Sequence, residues 1–264
     1  MTLHFTILGC GSSGGVPRVG QGWGTCDPNN PKNRRRRCSL LVEKTSSDNI
    51  TRVLVDTSPD LRDQLLEADV TALDGVLFTH EHADHTHGID DLRGLVLNMR
   101  RRIDVHADAQ TADMLRTRFG YCFTAPSGSD YPPILNLHEA RPLRPITISG
   151  EGGDIDALPV PVPHGSITAT GYRFGGLMYT PDLNGITAAY ESHFHGLDVW
   201  IIDALRDKQH PSHFSLNDAL AAIDRFKPKR AILTNMHNDM DYAVVAAQLP
   251  QNAEPAWDGF KISL

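Results

Sequence analysis

The run Thr79-His80-Glu81-His82-Ala83-Asp84-His85 decides how the rest of this chain is interpreted. It follows the apolar segment Val76-Leu77-Phe78, which is typical of a short buried strand. Three imidazoles and two carboxylates therefore enter a loop at a strand end, where the sheet fixes the origin of that loop. Histidine suits zinc, manganese or iron, and carboxylate oxygen suits a second ion. The pattern predicts a metal centre, and the alternative is a polar turn that carries surface histidines.

The His-x-His-x-Asp-His pattern resembles the hallmark of the metallo-β-lactamase superfamily. The resemblance implies an α/β fold, a four-layer αββα sandwich built from two similar halves. It also implies that His80 and His82 hold one metal ion and that Asp84 and His85 hold the other. Glu81 would then be a spacer that points away from the metals if the run is extended.

The remaining ligands must come from distant segments, because one loop cannot complete two coordination spheres. His164, Asp182 and His237 each follow a short apolar segment. The resemblance implies that His164 completes the first shell, that Asp182 bridges both ions and that His237 is the last ligand of the second ion. Relatives often carry that last ligand directly after the Leu-Thr pair, and Asn235 holds this place here. Whether His237 or Asn235 faces the second metal stays open.

Within the superfamily, the chain resembles the phosphoribosyl 1,2-cyclic phosphate phosphodiesterase group. The resemblance rests on the glycine-rich opening Leu8-Gly9-Cys10-Gly11-Ser12-Ser13-Gly14-Gly15-Val16-Pro17, the basic run Arg34–Arg37 and the segment Pro211-Ser212-His213-Phe214-Ser215. It implies that His213 lies outside the metal shell, near the phosphate and the leaving oxygen. Ser215 and Asp218 have the spacing of a capping box for the following helix.

Arginines and acids near these motifs are candidates for supporting roles. Arg36 and Arg37 would bind substrate phosphate, since arginine grips phosphate through two hydrogen bonds, although the basic run could equally be a solvated surface. Asp90, Asp91 and Arg93 follow the histidine motif closely. We expect them to hold the ligand imidazoles from outside the coordination shell.

The loop after Gly-Val-Pro departs from the pattern of the group. Its best-known member binds a structural zinc ion there with three cysteines, whereas this chain has Gln21, Trp23 and Cys26. A closed zinc site needs four ligands, and one thiol cannot provide it. The sequence therefore predicts no structural zinc in this loop.

Composition is that of a soluble enzyme with a single domain over residues 1–264. The 40% hydrophobic content allows a substantial core, and no run of 18 apolar residues predicts a membrane segment. Four cysteines without a Cys-x-x-Cys pair favour reduced thiols and a cytoplasmic location. A net charge of −7 argues against nucleic acid as the main substrate, and a homodimer is left open.

Short apolar strands alternate with amphipathic helices along the chain. Strands are predicted at Leu3–Leu8, Ser39–Val42, Arg52–Val55, Val76–Thr79, Pro145–Ile148, Asp156–Val162, Thr170–Phe174, Leu177–Thr180, Val199–Ala204 and Ala231–Thr234. Helices are predicted after a Ser58 cap and at Ile89–Met99, Thr111–Arg118 and Leu216–Phe226. The stretch from Gly120 to Pro133 is rich in Tyr, Pro, Gly and Ser, which favours an exposed loop.

These residues predict a metal-dependent phosphoric diester hydrolase that uses two divalent ions, Mn²⁺ or Zn²⁺, to activate water for attack on a small cyclic phosphate. Asp84, Asp182 and His213 would be the catalytic residues, with His213 as proton donor to the leaving oxygen. A nuclease or tRNA-processing enzyme and a lactone or thioester hydrolase would use the same motif. A non-catalytic ligand carrier on the same fold is the alternative of another class.

Overall fold

Two seven-stranded sheets form the centre of the structure, a computed structural model in which residues 2–264 are described. The first sheet has the order β14 (Phe260–Ser263), β1 (Leu3–Gly9), β2 (Ser39–Ser46), β3 (Asn49–Val55), β4 (Gly75–Leu77), β5 (Ile103–Ala107) and β6 (Leu135–Glu139). The second has the order β7 (Ile146–Ile148), β8 (Ile155–His164), β9 (Ile167–Phe174), β10 (Leu177–Thr180), β11 (Val199–Asp203), β12 (Arg230–Thr234) and β13 (Ala253–Pro255).

The two sheets share one pattern of strand pairing. In the first sheet the three pairs from β14 to β3 are antiparallel and the three pairs from β3 to β6 are parallel. In the second sheet the three pairs from β7 to β10 are antiparallel and the three from β10 to β13 are parallel. The expected two similar halves are therefore visible in the topology, so β3, β4 and β5 correspond to β10, β11 and β12.

Side-chain alternation along the strands builds the layers. Phe5 and Ile7 of β1 lie in the core between the sheets, whereas Leu8 points to the opposite face. That opposite face packs under α1 (Leu61–Glu67), α3 (Leu92–Met99) and α4 (Ala109–Phe123). On the outside of the second sheet, α5 (Leu216–Phe226) and α6 (Tyr242–Gln248) bury apolar residues such as Ile223 and Val245. The fold is thus the four-layer αββα sandwich that the sequence predicts.

Most predicted elements occur near their predicted bounds, and the differences have local causes. The capping box of Ser215 and Asp218 is present at the start of α5. The helix expected after a Ser58 cap begins at Leu61 instead, because the Ser58 hydroxyl accepts a hydrogen bond from the Asp60 amide in a turn that precedes it.

Three further segments differ from their predictions. The segment expected as one helix at Ile89–Met99 starts with a 3₁₀ turn over Ile89–Asp91. Helix α4 extends to Phe123, through residues predicted as loop, because apolar side chains of its last turn pack on the core. A short helix, α2 (Ala83–Thr86), lies inside the histidine motif. None of the helices within residues 2–264 is long and apolar enough to span a membrane.

Candidate metal centre

The carboxyl ends of the parallel strands supply the polar residues of the centre. The His80–His85 run follows β4, Asp182 follows β10 and Asn235 follows β12, while Asp203 is the last residue of β11. Open α/β sheets place their ligand sites at this edge, since loops leaving adjacent parallel strands lie side by side. Strand order therefore brings together residues that are more than 150 positions apart.

Three imidazoles form the first cluster. The Nε2 atom of His80 lies 3.0 Å from Nδ1 of His82, and Nε2 of His164 lies 3.2 Å from the same Nδ1. His80 and His164 are buried, whereas His82 is exposed. Three ring nitrogens that converge on one point are the donor set that a transition-metal ion requires.

Carboxylates and one imidazole form the second cluster. The Nε2 atom of His85 lies 3.0 Å from Oδ2 of Asp182 and 3.4 Å from Oδ2 of Asp84. A carboxylate oxygen of Asp182 also lies within 4.8 Å of a ring nitrogen of His80. Its carboxylate therefore lies between the two clusters. A shared carboxylate offsets the mutual repulsion of two adjacent cations.

A hydrogen-bonded chain from Asp56 sets the orientation of two of the imidazoles. Asp56 Oδ2 accepts hydrogen bonds from the Thr79 hydroxyl at 2.7 Å and from Nδ1 of His85 at 2.8 Å. The Thr79 hydroxyl then accepts from Nδ1 of His80 at 3.0 Å. Both imidazoles therefore carry their proton on Nδ1 and present the Nε2 lone pair to the centre.

His164 is oriented in the same way by the backbone. Its Nδ1 lies 2.7 Å from the carbonyl oxygen of Ser212, which can only accept a hydrogen bond. Nε2 of His164 is therefore unprotonated in the neutral ring. Burial lowers the pKa of His164 and holds that of His80 well below its usual range, so both rings are neutral, as ligands must be.

The residues present fit two divalent ions. Nε2 of His85 and Oδ2 of Asp182 are buried and have no hydrogen-bond partner among residues 2–264, although they lie near each other. Buried polar atoms are normally paired, and a cation between these two would satisfy both. Burial opposes the charged form of His85, but Asp182 and Asp84 raise its pKa well above the usual value. This shows how strongly the site attracts positive charge.

A second polar pair, buried Asp203 and partly exposed His213, lies beside the clusters. Nδ1 of His213 lies 2.8 Å from Oδ2 of Asp203 and 3.4 Å from Oδ1 of Asp182. Burial raises the pKa of Asp203 to about 7. Burial opposes protonation of His213, but the hydrogen bond to Asp203 and its charge raise the pKa of His213 to about 9. The hydrogen bond between them places a proton on Nδ1 of His213, with Asp203 as the acceptor.

A cavity of about 240 Å³ opens next to both clusters and to His213. Its lining also includes Ser12, Arg18, Arg206 and His210. The Ser12 hydroxyl and Nε of Arg206 are buried without a hydrogen-bond partner in the described part of the chain. The cavity lining thus combines carboxylates and imidazoles with two guanidinium groups.

Comparison with known proteins identifies the family. A family model described as the β-lactamase superfamily domain matches residues 51–236. The chain belongs to the metallo-β-lactamase superfamily. A crystal structure described as a new diphosphatase from the PhnP family is 32% identical, covers 100% of this chain and 98% of its own, and superposes with a TM-score of 0.87. The predicted resemblance is confirmed.

Other relatives show the same fold. Zn²⁺-bound PqqB from Methylobacterium extorquens is 17% identical, over 99% of this chain and 100% of its own, with a TM-score of 0.73. YhfI from Bacillus subtilis, a metallo-β-lactamase fold protein, is 15% identical, over 100% of this chain and 99% of its own, with a TM-score of 0.71. An octanoyltransferase from Porphyromonas gingivalis is 32% identical over 263 residues, 98% of this chain and 51% of that protein. The chain thus spans about half the length of this curated relative.

His237 is not among the side chains of either ligand cluster, although the sequence predicts it as the last ligand of the second metal. Its side chain lines the cavity, with Nδ1 3.2 Å from Asp239, and its backbone amide donates to the carbonyl of Leu205. The backbone at Asn235 is left-handed, with a φ of +60°. Asn235 is the residue that contacts them.

Arg36 and Arg37 lie elsewhere, which corrects their assignment to substrate phosphate. Arg36 pairs with Asp258 at 3.0 Å and with Glu67, and Nε of Arg37 lies 2.9 Å from Asp60. Both line a separate cavity of about 1020 Å³. Their charges are balanced by acids that the sequence places far away, so they face neither ligand cluster.

The residues expected to hold the imidazoles are also different. Asp90 pairs with Arg93 at 2.9 Å and Asp91 is exposed, so these three do not reach the ligand rings. Asp56 and Asp203 hold imidazoles instead: Asp56 accepts a hydrogen bond from His85, and Asp203 accepts one from His213. Sequence analysis missed both, and it missed Arg18 and Arg206. The available signal was a polar residue at the end of a predicted strand, which applies to Asp56 after β3 and to Asp203 in β11.

Proposed function

We propose that this superfamily hydrolase uses two divalent ions, Zn²⁺ or Mn²⁺, to hydrolyse a small phosphodiester, with a cyclic ribose phosphate or cyclic nucleotide as the substrate class. One observation carries the proposal: two ligand clusters that share Asp182 open into a single small cavity that is also lined by two arginines and by His213, which is paired with Asp203. Phosphate esters need this combination, since negative charge develops on the phosphoryl oxygens and on the leaving oxygen.

The ligand roles follow from the clusters. His80, His82 and His164 would hold the first ion, Asp84 and His85 the second, and Asp182 would contact both. Bound divalent ions would supply an activated water molecule at neutral pH and neutralise charge on the phosphoryl oxygens. The hydrogen bonds that run from Asp56 to His85 and through Thr79 to His80 would keep the Nε2 lone pairs of both imidazoles directed at the ions.

His213 would act on the leaving group. Its Nδ1 donates to Asp203, so the proton on Nε2 is available to the cavity, where this nitrogen makes no hydrogen bond within residues 2–264. A cationic imidazole can give this proton to a departing sugar oxygen, which is a poor leaving group without it. Asp203 then stabilises the orientation of the ring in both protonation states.

Arg18 and Arg206 would contact the phosphoryl oxygens in place of Arg36 and Arg37. Both side chains line the cavity, and Nε of Arg206 has an unused hydrogen. Guanidinium groups bind phosphate oxygens through paired hydrogen bonds. The small volume of the cavity and the net charge of −7 favour a small substrate over a long nucleic acid.

A diphosphate is a second candidate substrate. The relative that is 32% identical over nearly its whole length is described as a diphosphatase. Hydrolysis of a phosphoanhydride would use the same ligands and the same arginines. It would depend less on His213, because phosphate is a better leaving group than a sugar alkoxide.

Turnover of a substrate panel tests the proposal. Protein loaded with Zn²⁺ or Mn²⁺ would be assayed with a 1,2-cyclic ribose phosphate, 2′,3′-cyclic AMP, bis(p-nitrophenyl) phosphate, a nucleoside diphosphate, a lactone and a precursor tRNA. We expect the cyclic phosphates to have the highest kcat/KM, with a weak response to salt. Preferential turnover of the diphosphate would select the second candidate. Turnover of the lactone alone, or RNA cleavage that weakens steeply with salt, would contradict both.

A cytoplasmic location is part of the proposal and rests on the cysteines. All four cysteines are unpaired and buried, which supports a reducing compartment such as the cytoplasm.

A further inference from the structure

Asn235 occupies a buried position between the second ligand cluster and the His213 pair. It directly follows β12, is 1% exposed and lines the cavity. Its φ of +60° lies in the left-handed region, which asparagine tolerates better than most residues. Its side chain therefore reaches the centre at the point where the chain leaves the sheet.

The amide of Asn235 acts as a donor toward the carboxylates. Nδ2 lies 3.0 Å from Oδ1 of Asp203 and 3.3 Å from Oδ1 of Asp182. Both neighbours accept hydrogen bonds, so the NH₂ group rather than the carbonyl oxygen must face them. Nδ1 of His213 is 3.1 Å away but already donates to Asp203, so it is not an acceptor for the amide.

The two metal positions consequently have different numbers of protein ligands. The first position has three imidazoles and the Asp182 carboxylate. The second has Asp84, His85 and Asp182, and the Asn235 amide beside it donates a hydrogen bond to Asp182 instead of offering a lone pair to an ion. We infer that Asn235 makes the centre asymmetric, with one tightly held ion and one exchangeable ion. This inference rests on the proposed two-metal centre.

The competing explanation is that His237 moves in to supply the missing ligand. In the structure its Nδ1 is paired with Asp239 and its backbone amide is fixed to Leu205. Its imidazole is also absent from the groups of side chains within 4.8 Å of one another. The two explanations therefore predict opposite results for the affinity of the second ion.

Metal titration distinguishes them without relying on turnover. Chelator-stripped protein would be titrated with Zn²⁺ in competition with a chromophoric chelator, to obtain two stepwise dissociation constants. We expect the second ion of the parent protein to bind at least about tenfold more weakly than the first, the size of effect that neighbouring groups exert on metal affinity. Asn235→His should tighten the second ion about tenfold or more and leave the first unchanged.

His237→Ala is the matched control, and both constants should stay at the parental values. If Asn235→His fails to fold by circular dichroism, Asn235→Asp replaces it, since aspartate tolerates the same backbone and offers an oxygen lone pair. Asn235→Asp should also tighten the second ion. The inference is overturned by equal constants in the parent, by an unchanged second constant in the folded variant, or by a weakened second ion in His237→Ala. Absence of any metal binding by the folded parent would instead overturn the two-metal proposal itself.

Discussion

Oδ2 of Asp56 lies 2.8 Å from Nδ1 of His85, and both side chains are fully buried. The same carboxylate accepts a hydrogen bond from the Thr79 hydroxyl, which in turn accepts one from Nδ1 of His80. One acid at the end of β3 therefore orients an imidazole in each metal position. This relationship makes Asp56 a determinant of metal affinity although it contacts neither position itself.

Replacing this acid should weaken metal binding. We expect Asp56→Asn to reduce the affinity for divalent ions about 10- to 100-fold, because the amide no longer selects the Nδ1 protonated form of His85. Competition with a chromophoric chelator measures this change. Asp90→Asn is the control, since Asp90 only pairs with Arg93 at the surface, and its affinity should equal that of the parent. Equal affinities in parent and Asp56→Asn would contradict the role of Asp56.

Metal content tests the clusters directly. Elemental analysis of protein purified without chelator should approach two ions per chain, and a third ion is not expected in the loop that contains Cys26. Asp182→Ala should remove the shared ligand, abolish phosphodiester hydrolysis and retain the far-ultraviolet spectrum of the parent. A folded parent protein that holds no metal after soaking would show that the clusters are not ligands.

His213 should affect turnover without affecting metal content. His213→Ala should keep both ions and lose about 10²- to 10⁴-fold in kcat for a cyclic ribose phosphate, which has a poor leaving group. The loss should be much smaller for bis(p-nitrophenyl) phosphate, since nitrophenolate departs without a proton. Equal losses on the two substrates would mean that His213 does not protonate the leaving oxygen.

Replacing an arginine of the cavity should change substrate binding, whereas replacing one of the basic run should change stability. Arg206→Gln should raise KM for phosphate substrates about tenfold, because a group that faces the cavity is lost. Arg36→Gln should leave kcat/KM unchanged but lower the free energy of unfolding by about 1–3 kcal/mol, because the largely buried Asp258 loses its guanidinium partner. Steady-state kinetics and urea denaturation measure the two effects. A KM increase in Arg36→Gln alone would restore the arginines of the basic run as substrate ligands.

Local sequence determined much of this protein. The histidine run, the strand ends that carry His164 and Asp182, and the Ser215–Asp218 cap were predictable because each depends on neighbours within a few residues. The αββα layers were implied by the family resemblance that the histidine run carries, and the alternation of strands and helices along the chain matches them. The position of His213 beside the ligands was predicted from the resemblance of the chain to a known family.

Tertiary structure decided which distant groups meet. Asp56 reaches His85 because β3 lies beside β4, and Arg206 reaches the cavity because the loop after β11 lies beside the loops after β10 and β12. Arg36 is neutralised by Asp258, which lies 222 positions along the chain from it. At Asn235, where the backbone is left-handed, the side-chain amide rather than the His237 imidazole contacts Asp182 and Asp203. Such contacts depend on strand order and backbone turns, which no short stretch of sequence encodes by itself.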